Sequence, residues 1–165
     1  MVSVPKSKPA VERDYVDYIK NKKFKQISKE AYPEYLLRSQ KDLTSSYRDL
    51  EGGDHHWAFI KAYQALFFVL NALLIKYKGY FSKDHKCIIT ALLKEEVISI
   101  AVAEHIDLFV KALDEFKTLD EVDDLRLDRN KAMYAPTAWK DFKKQQAESV
   151  LNEARDLINK LVELL

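Results

Sequence analysis

The sequence predicts an all-α protein, an antiparallel bundle of about six helices. Three observations carry this reading. First, the stretch 57–77, WAFIKAYQALFFVLNALLIKY, holds only Lys61 and Lys76 as charges, and Gln64 and Asn71 are its only amide side chains. A helix this apolar on every side must be buried. Second, three glycines and four prolines in 165 residues are too few for turn-rich β structure. Third, the segments on either side repeat their apolar residues every three or four positions. The central stretch reads as too short to cross a bilayer. It is therefore expected to be the core helix of a soluble bundle.

The totals set bounds. A chain of 165 residues is long enough for one domain with a substantial core. A net charge of +1 exerts no overall pull toward nucleic acid or membrane. Cys87 is the single cysteine. That excludes an intramolecular disulfide and a multi-cysteine zinc site, and it suits a reducing cytoplasm. The opening MVSVPKSKPA lacks the apolar run of a signal peptide. A cytoplasmic protein without cofactor or metal is expected.

Residues 1–31 read as a basic N-terminal extension with one short helix, and residues 32–165 as the bundle. In the extension, Val11, Tyr15, Tyr18 and Ile19 recur at helical spacing, with Pro9 at a first helical position. The run KNKKFK at 20–25 reads as a basic loop; it could touch phosphate, though a solvated linker is the plainer reading. Pro33 starts the next helix. Leu36, Leu43, Tyr47 and Leu50 form its stripe, and Gly52-Gly53 ends it.

Asp54 is placed to cap the central helix and Gly79 to close it. Lys61, Gln64, Asn71 and Lys78 fall within about 100° of one another around that helix, on its one face open to water or ligand. Gln64 and Asn71 equally fit hydrogen bonds to neighbouring helices, the usual fate of buried polar groups. Ser82 is placed to cap a helix carrying Cys87, Ile88, Ile89, Ala91, Leu92 and Leu93 inward. A longer helix is expected from Glu95 to Lys117, and the capping box at Thr118–Glu121 starts another. From Asp114 to Asp128, seven acids against two bases leave −5. The last helix is expected from Ala138 after Pro136-Thr137, with Trp139, Phe142, Val150, Ala154, Leu157, Leu161 and Leu164 inward.

Most catalytic signatures are absent. The sequence has no glycine-rich phosphate loop, no HExxH and no paired Glu-x-x-His motif. His55 and His56 are chain neighbours and point apart on a helix, while His85 and His105 stand alone, so no metal set converges. The exception is LRLDRNKAMYA at 125–135. Arg129 shares a helix face with Val122, Leu125, Ala132 and Met133. A core-facing arginine needs a strong partner, because desolvating its charge is costly. Two partners fit: a carboxylate on a neighbouring helix, or a bound anion matched to the guanidinium fork. Asn130 adds an amide, and Tyr134 a hydroxyl and a stacking face.

The run AFIKAYQALFFVLNALLIKYKGYFSKDHKCIITALL resembles the core of a HEPN domain, a small all-α domain of prokaryotic toxin–antitoxin and defence systems. The resemblance lies in the aromatic and small-residue central helix, the following Gly79, and the Ser82, His85, Lys86 start of the next helix. It continues in the later Arg-Asn pair and the final helix after Pro136-Thr137, and covers roughly 35–165. Arg129, Asn130, Ala132 and Tyr134 match the subgroup pattern arginine, polar, any, alanine, any, tyrosine. The resemblance implies a bundle like that of nucleotidyltransferase substrate-binding subunits. It also implies a homodimer that brings two motifs to one cleft. Many such proteins are metal-independent ribonucleases, some pair with a small nucleotidyltransferase, and others bind RNA or nucleotide without cutting.

The ribonuclease pattern calls for a histidine four to six residues after the arginine. With four to six residues intervening, the expected positions hold Tyr134, Ala135 and Pro136 after Arg129, and Lys131, Ala132 and Met133 after Arg126. Cleavage through a 2′-hydroxyl needs a base and an acid near neutral pH. Histidine titrates near 6.5 and tyrosine near 10, a gap worth roughly 4–5 kcal/mol. The favoured reading is a non-catalytic, dimeric module binding RNA or a nucleotide through Arg129, Asn130 and Tyr134, with Gln64, Asn71 and Lys86 as secondary candidates. The alternatives are a weak ribonuclease toxin using Arg129 and a histidine from elsewhere, and a pure interaction subunit partnering a nucleotidyltransferase.

Overall fold

The computed structural model describes residues 4–111 and 136–165, with side chains at 4–111 and 144–165. Six α-helices appear among the described residues: α1 (Lys8–Lys20), α2 (Tyr32–Glu51), α3 (His55–Lys78), α4 (His85–Lys94), α5 (residues 100–111) and α6 (Pro136–Val162). A single-turn 3-10 helix (Lys29–Ala31) precedes α2, and strands β1 (Lys25–Gln26) and β2 (Tyr80–Phe81) make an antiparallel ribbon. The all-α bundle expected from the periodicity is what forms.

The core is built around α3. Leu66, Val69, Leu70, Leu73, Leu74 and Ile75 are each at most 1% exposed. At about 2 kcal/mol per buried aliphatic side chain, these six contribute roughly 12 kcal/mol, as much as the whole net stability of a typical domain. The helix begins where Asp54 accepts the Trp57 N–H and ends at Gly79 in the left-handed region, φ +69°. Its 24 residues correct the expectation that it is too short for a bilayer, since by length and composition it would span one. Burial answers the question that length leaves open: 67% of its most apolar window lies inside the bundle.

Three residues, 52–54, join α2 to α3, so the two pack as an antiparallel hairpin. Ser39 Oγ donates to the Ala65 carbonyl across this contact at 2.6 Å. The third layer is α6, which packs on α3 and α2. Tyr47 donates to Asn152 at 2.8 Å, and Tyr77 to the Leu164 carbonyl at 2.8 Å. These two bonds set α6 antiparallel to α2 and in the same direction as α3. Ala147, Leu151, Ala154, Leu157 and Leu161 are buried along it.

The extension is anchored rather than free. Val4, Val11 and Tyr15 join the core cluster, and α1 packs on α4. Phe24 sits between Tyr15 and Tyr80, its centroid 5.7 Å from each. Strand β1 pairs Lys25 with Phe81 and Gln26 with Tyr80, and the Ile27 N–H then bonds the Gly79 carbonyl at 2.9 Å.

Two boundaries differ from expectation. The N-cap of α4 is Asp84, which accepts the Lys86 N–H at 3.0 Å; Ser82 lies two residues earlier and instead accepts the Asp84 N–H. The helix expected from Glu95 begins at residue 100. Glu95 ends α4, Glu96 turns left-handed at φ 55°, and Val97 N–H bonds back to the Leu92 carbonyl. This Schellman closure forces a break, and Ser99 then accepts the Val102 N–H to start α5. The expected end of that helix and the one starting at Thr118 lie outside the described residues.

Gly79 and Gly53 separate two costs. Both have positive φ, but a Cβ at Gly79 would meet the Ile27 carbonyl at 3.2 Å, while one at Gly53 meets nothing within 4 Å. Alanine at either site pays roughly 1–2 kcal/mol for the left-handed backbone. We expect Gly79→Ala to cost measurably more than Gly53→Ala in urea denaturation, and equal losses would contradict this packing of the ribbon.

Candidate functional site

Arg129, Asn130 and Tyr134 lie outside the described residues. The three secondary candidates are described: Gln64 and Lys86 reach the surface, and Asn71 does not.

Gln64 is exposed on α3, with Phe67 and Phe68 one turn further along the same side. Asn71 is completely buried, at 0% exposure. Its Nδ2 donates to the Ser82 carbonyl at 3.1 Å, and its Oδ1 accepts the Ser82 N–H at 3.1 Å. The amide thus pairs with both the backbone N–H and the backbone C=O of one residue, as a residue of a neighbouring antiparallel strand would. This corrects its candidacy: Asn71 has no face left for a ligand. Lys86 is half-buried in the first turn of α4.

The histidines are dispersed. His85 packs edge-on against Tyr63, centroids 6.5 Å apart, and His105 Nε2 lies 3.1 Å from Glu153 Oε1, linking α5 to α6. Among the described residues no group of three or more His, Cys, Asp or Glu is placed to hold a metal. Burial pushes the Tyr18 hydroxyl up to about 12 and raises those of Tyr15 and Tyr47. None of these three is poised as a base near neutral pH. Cys87 is fully buried, and burial, followed by the nearby Asp84 carboxylate, pushes its thiol up to about 12. It is a packing residue and not a nucleophile.

Aromatic side chains from α2, α3 and β2 meet beside the α2–α3 contact. Phe81 lies 5.8 Å from Tyr35 and 6.3 Å from Phe67, and Tyr35 lies 6.0 Å from Phe68. The Arg38 guanidinium stands 5.6 Å above the Phe68 ring and is steadied by Asp42 at 3.0 Å. All four rings are half-buried, so part of each reaches the surface. Helical spacing puts Phe68 on the same side of α3 as Gln64 and Asn71. It could not show that Tyr35 and Phe81, from two other elements, would meet it there.

The HEPN domain model matches residues 32–165, most of the chain. The chain belongs to the HEPN domain family. No curated protein and no solved structure matches it. The matched region of this HEPN protein begins at the first residue of α2, so α1 and β1 are additions packed on the family domain.

Two outcomes follow. Asn71→Leu keeps the branching at Cγ but is bulkier and strands a buried N–H and C=O at Ser82, and should cost at least roughly 1–3 kcal/mol for each group left unpaired. Gln64→Ala should stay within about 0.5 kcal/mol, as an exposed substitution does. Chemical denaturation of both variants checks the contrast. Cys87 should resist alkylation by iodoacetamide at pH 8 in the native protein and react promptly in denaturant. Rapid native labelling would contradict its burial.

Proposed function

We propose that this HEPN protein is a non-catalytic binding module that takes RNA or a nucleotide in a cleft formed at a homodimer. The observation that carries the reading is the family match over 32–165 combined with the motif Arg129-Asn130-Lys131-Ala132-Met133-Tyr134, which has an anion-matching arginine and no histidine. Arg129 takes the phosphate, Asn130 adds an amide bond, and Tyr134 offers a ring for a base. The pairing of two copies supplies both halves of the cleft, since a two-fold interface presents the same patch twice. We place the protein in a reducing cytoplasm, in keeping with one buried, unpaired cysteine. A role within a toxin–antitoxin or defence system, with a small nucleotidyltransferase as partner, extends the same reading.

Light scattering at micromolar concentration should give about twice the 19.3 kDa chain mass. Fluorescence anisotropy with a labelled single-stranded RNA should show binding that Arg129→Met weakens by tenfold or more. If Arg129 serves an anion site, its charge has no permanent protein partner, and stability should stay level or rise on this substitution. No RNA cleavage above a mock-purified control is expected. A stability loss above about 3 kcal/mol with binding intact would instead mark Arg129 as half of a structural ion pair.

A further inference from the structure

We infer that the β1–β2 ribbon and the aromatic region beside it form a second contact surface for single-stranded RNA, built jointly by the N-terminal extension and the HEPN domain. This rests on the RNA-binding reading above and assigns to it a surface outside the motif.

The ribbon gathers like charges. Lys20, Lys22, Lys23 and Lys25 come from the extension, and Lys83 from the turn after β2. All five are exposed, and among the described residues none is in an ion pair. The ladder pairs Lys25 with Phe81, and Lys83 follows Phe81 by two residues in the chain. Like charges brought together by a fold repel one another, and an anionic partner relieves that cost.

Aromatic faces adjoin these charges. Residues directly opposite in an antiparallel pair project to the same side, so Lys25 stands beside Phe81. Phe81 leads to Tyr35, and Tyr35 to Phe68, with Arg38 over the far ring. The surface thus runs from unpaired ammonium groups, across three half-buried rings, to a guanidinium that itself offers a planar face. Backbone phosphates suit the first part, and unpaired bases suit the rings. Bases in a duplex have no free face to stack, which makes the partner single-stranded. Exposed Gln64, one turn before Phe68, adds an amide for a base edge.

The experiment is anisotropy titration of a fluorescein-labelled 12-nucleotide oligouridine against the full chain at several salt concentrations. The variants are a triple Lys23→Gln, Lys25→Gln, Lys83→Gln and a single Phe81→Leu. A control triple, Lys41→Gln, Lys144→Gln, Lys160→Gln, removes the same charge from exposed sites elsewhere. Each lost phosphate contact lowers the slope of log affinity against log salt by about 0.7, so the ribbon triple should lower it by about 2 and the control by much less. Phe81→Leu should weaken binding roughly fivefold or more with little change in slope. Circular dichroism confirms that each variant is folded, and Tyr35→Leu replaces Phe81→Leu if that variant is not. Wild-type affinity in both the ribbon triple and the ring variant overturns this surface while leaving the motif-based reading standing. Equal losses in the two triples, or binding of the ribbon only to anionic phosphatidylserine vesicles, also overturn it. An absence of any RNA binding by the wild type removes the functional reading and this surface together.

Discussion

The need to bury α3 on all sides is the constraint from which the rest of the structure follows. No single neighbour can cover a helix whose apolar residues span its full circumference. Helix α2 covers one flank, α6 another, and the α4 region, held down by the extension, the third. The polar positions of α3 mark where this cover changes. Lys61 emerges beside α2 to meet Asp49 at 2.7 Å, and Lys78 emerges at the end to meet Glu95 at 2.9 Å, a bond that raises its own pKa. Asn71 is the exception that stays inside, and it does so by pairing with the backbone N–H and C=O of Ser82 as a strand residue would.

That one amide has an effect beyond its own bonds. It fixes where the chain goes after Gly79, and therefore where β2 presents Tyr80 and Phe81. Tyr80 faces inward to stack on Phe24, at an interplanar angle of 25°, and so anchors the extension. Phe81 faces Tyr35 and Phe67 on the outer side. A buried polar side chain in the most apolar helix thus orients a surface that its own side chain does not reach.

Features set by short-range chemistry were legible in the sequence. The α3 run, the Asp54 cap, the Gly79 terminus, the Gly52-Gly53 break and the inward face of α4 all depend on residues within a turn or two of one another. The departures arose where two local signals competed or where distant residues met. Ser82 and Asp84 both suit a helix cap, and Asn71, 11 residues earlier in the chain, draws Ser82 into a different role. Glu96 lacks the glycine signature of a left-handed terminus, so the break before α5 was hidden. The basic run at 20–25 reads as a linker, because nothing near it announces that Phe24 will pack between two tyrosines. The site at Arg129 rests on its motif, whereas the meeting of Tyr35, Phe68 and Phe81 needed the fold.

The way the extension is attached bears on how the protein folds and breathes. Helices α2 and α3 are neighbours in the chain, so their contact closes a short loop and can form early. Joining Lys25 to Phe81 closes a loop of more than fifty residues, and what offsets it is a two-residue ladder, the Tyr15–Phe24–Tyr80 contacts and the burial of Val4 and Val11, far less than the core around α3. The ion pairs that help, such as Lys8 to Glu96 at 3.1 Å, are solvent-exposed and contribute little. Residues 4–31 therefore form a late-docking unit, able to open at lower free energy than the bundle beneath. The molecule has two tiers of cooperativity: an inner tier that survives such opening, and an outer one whose amides exchange first.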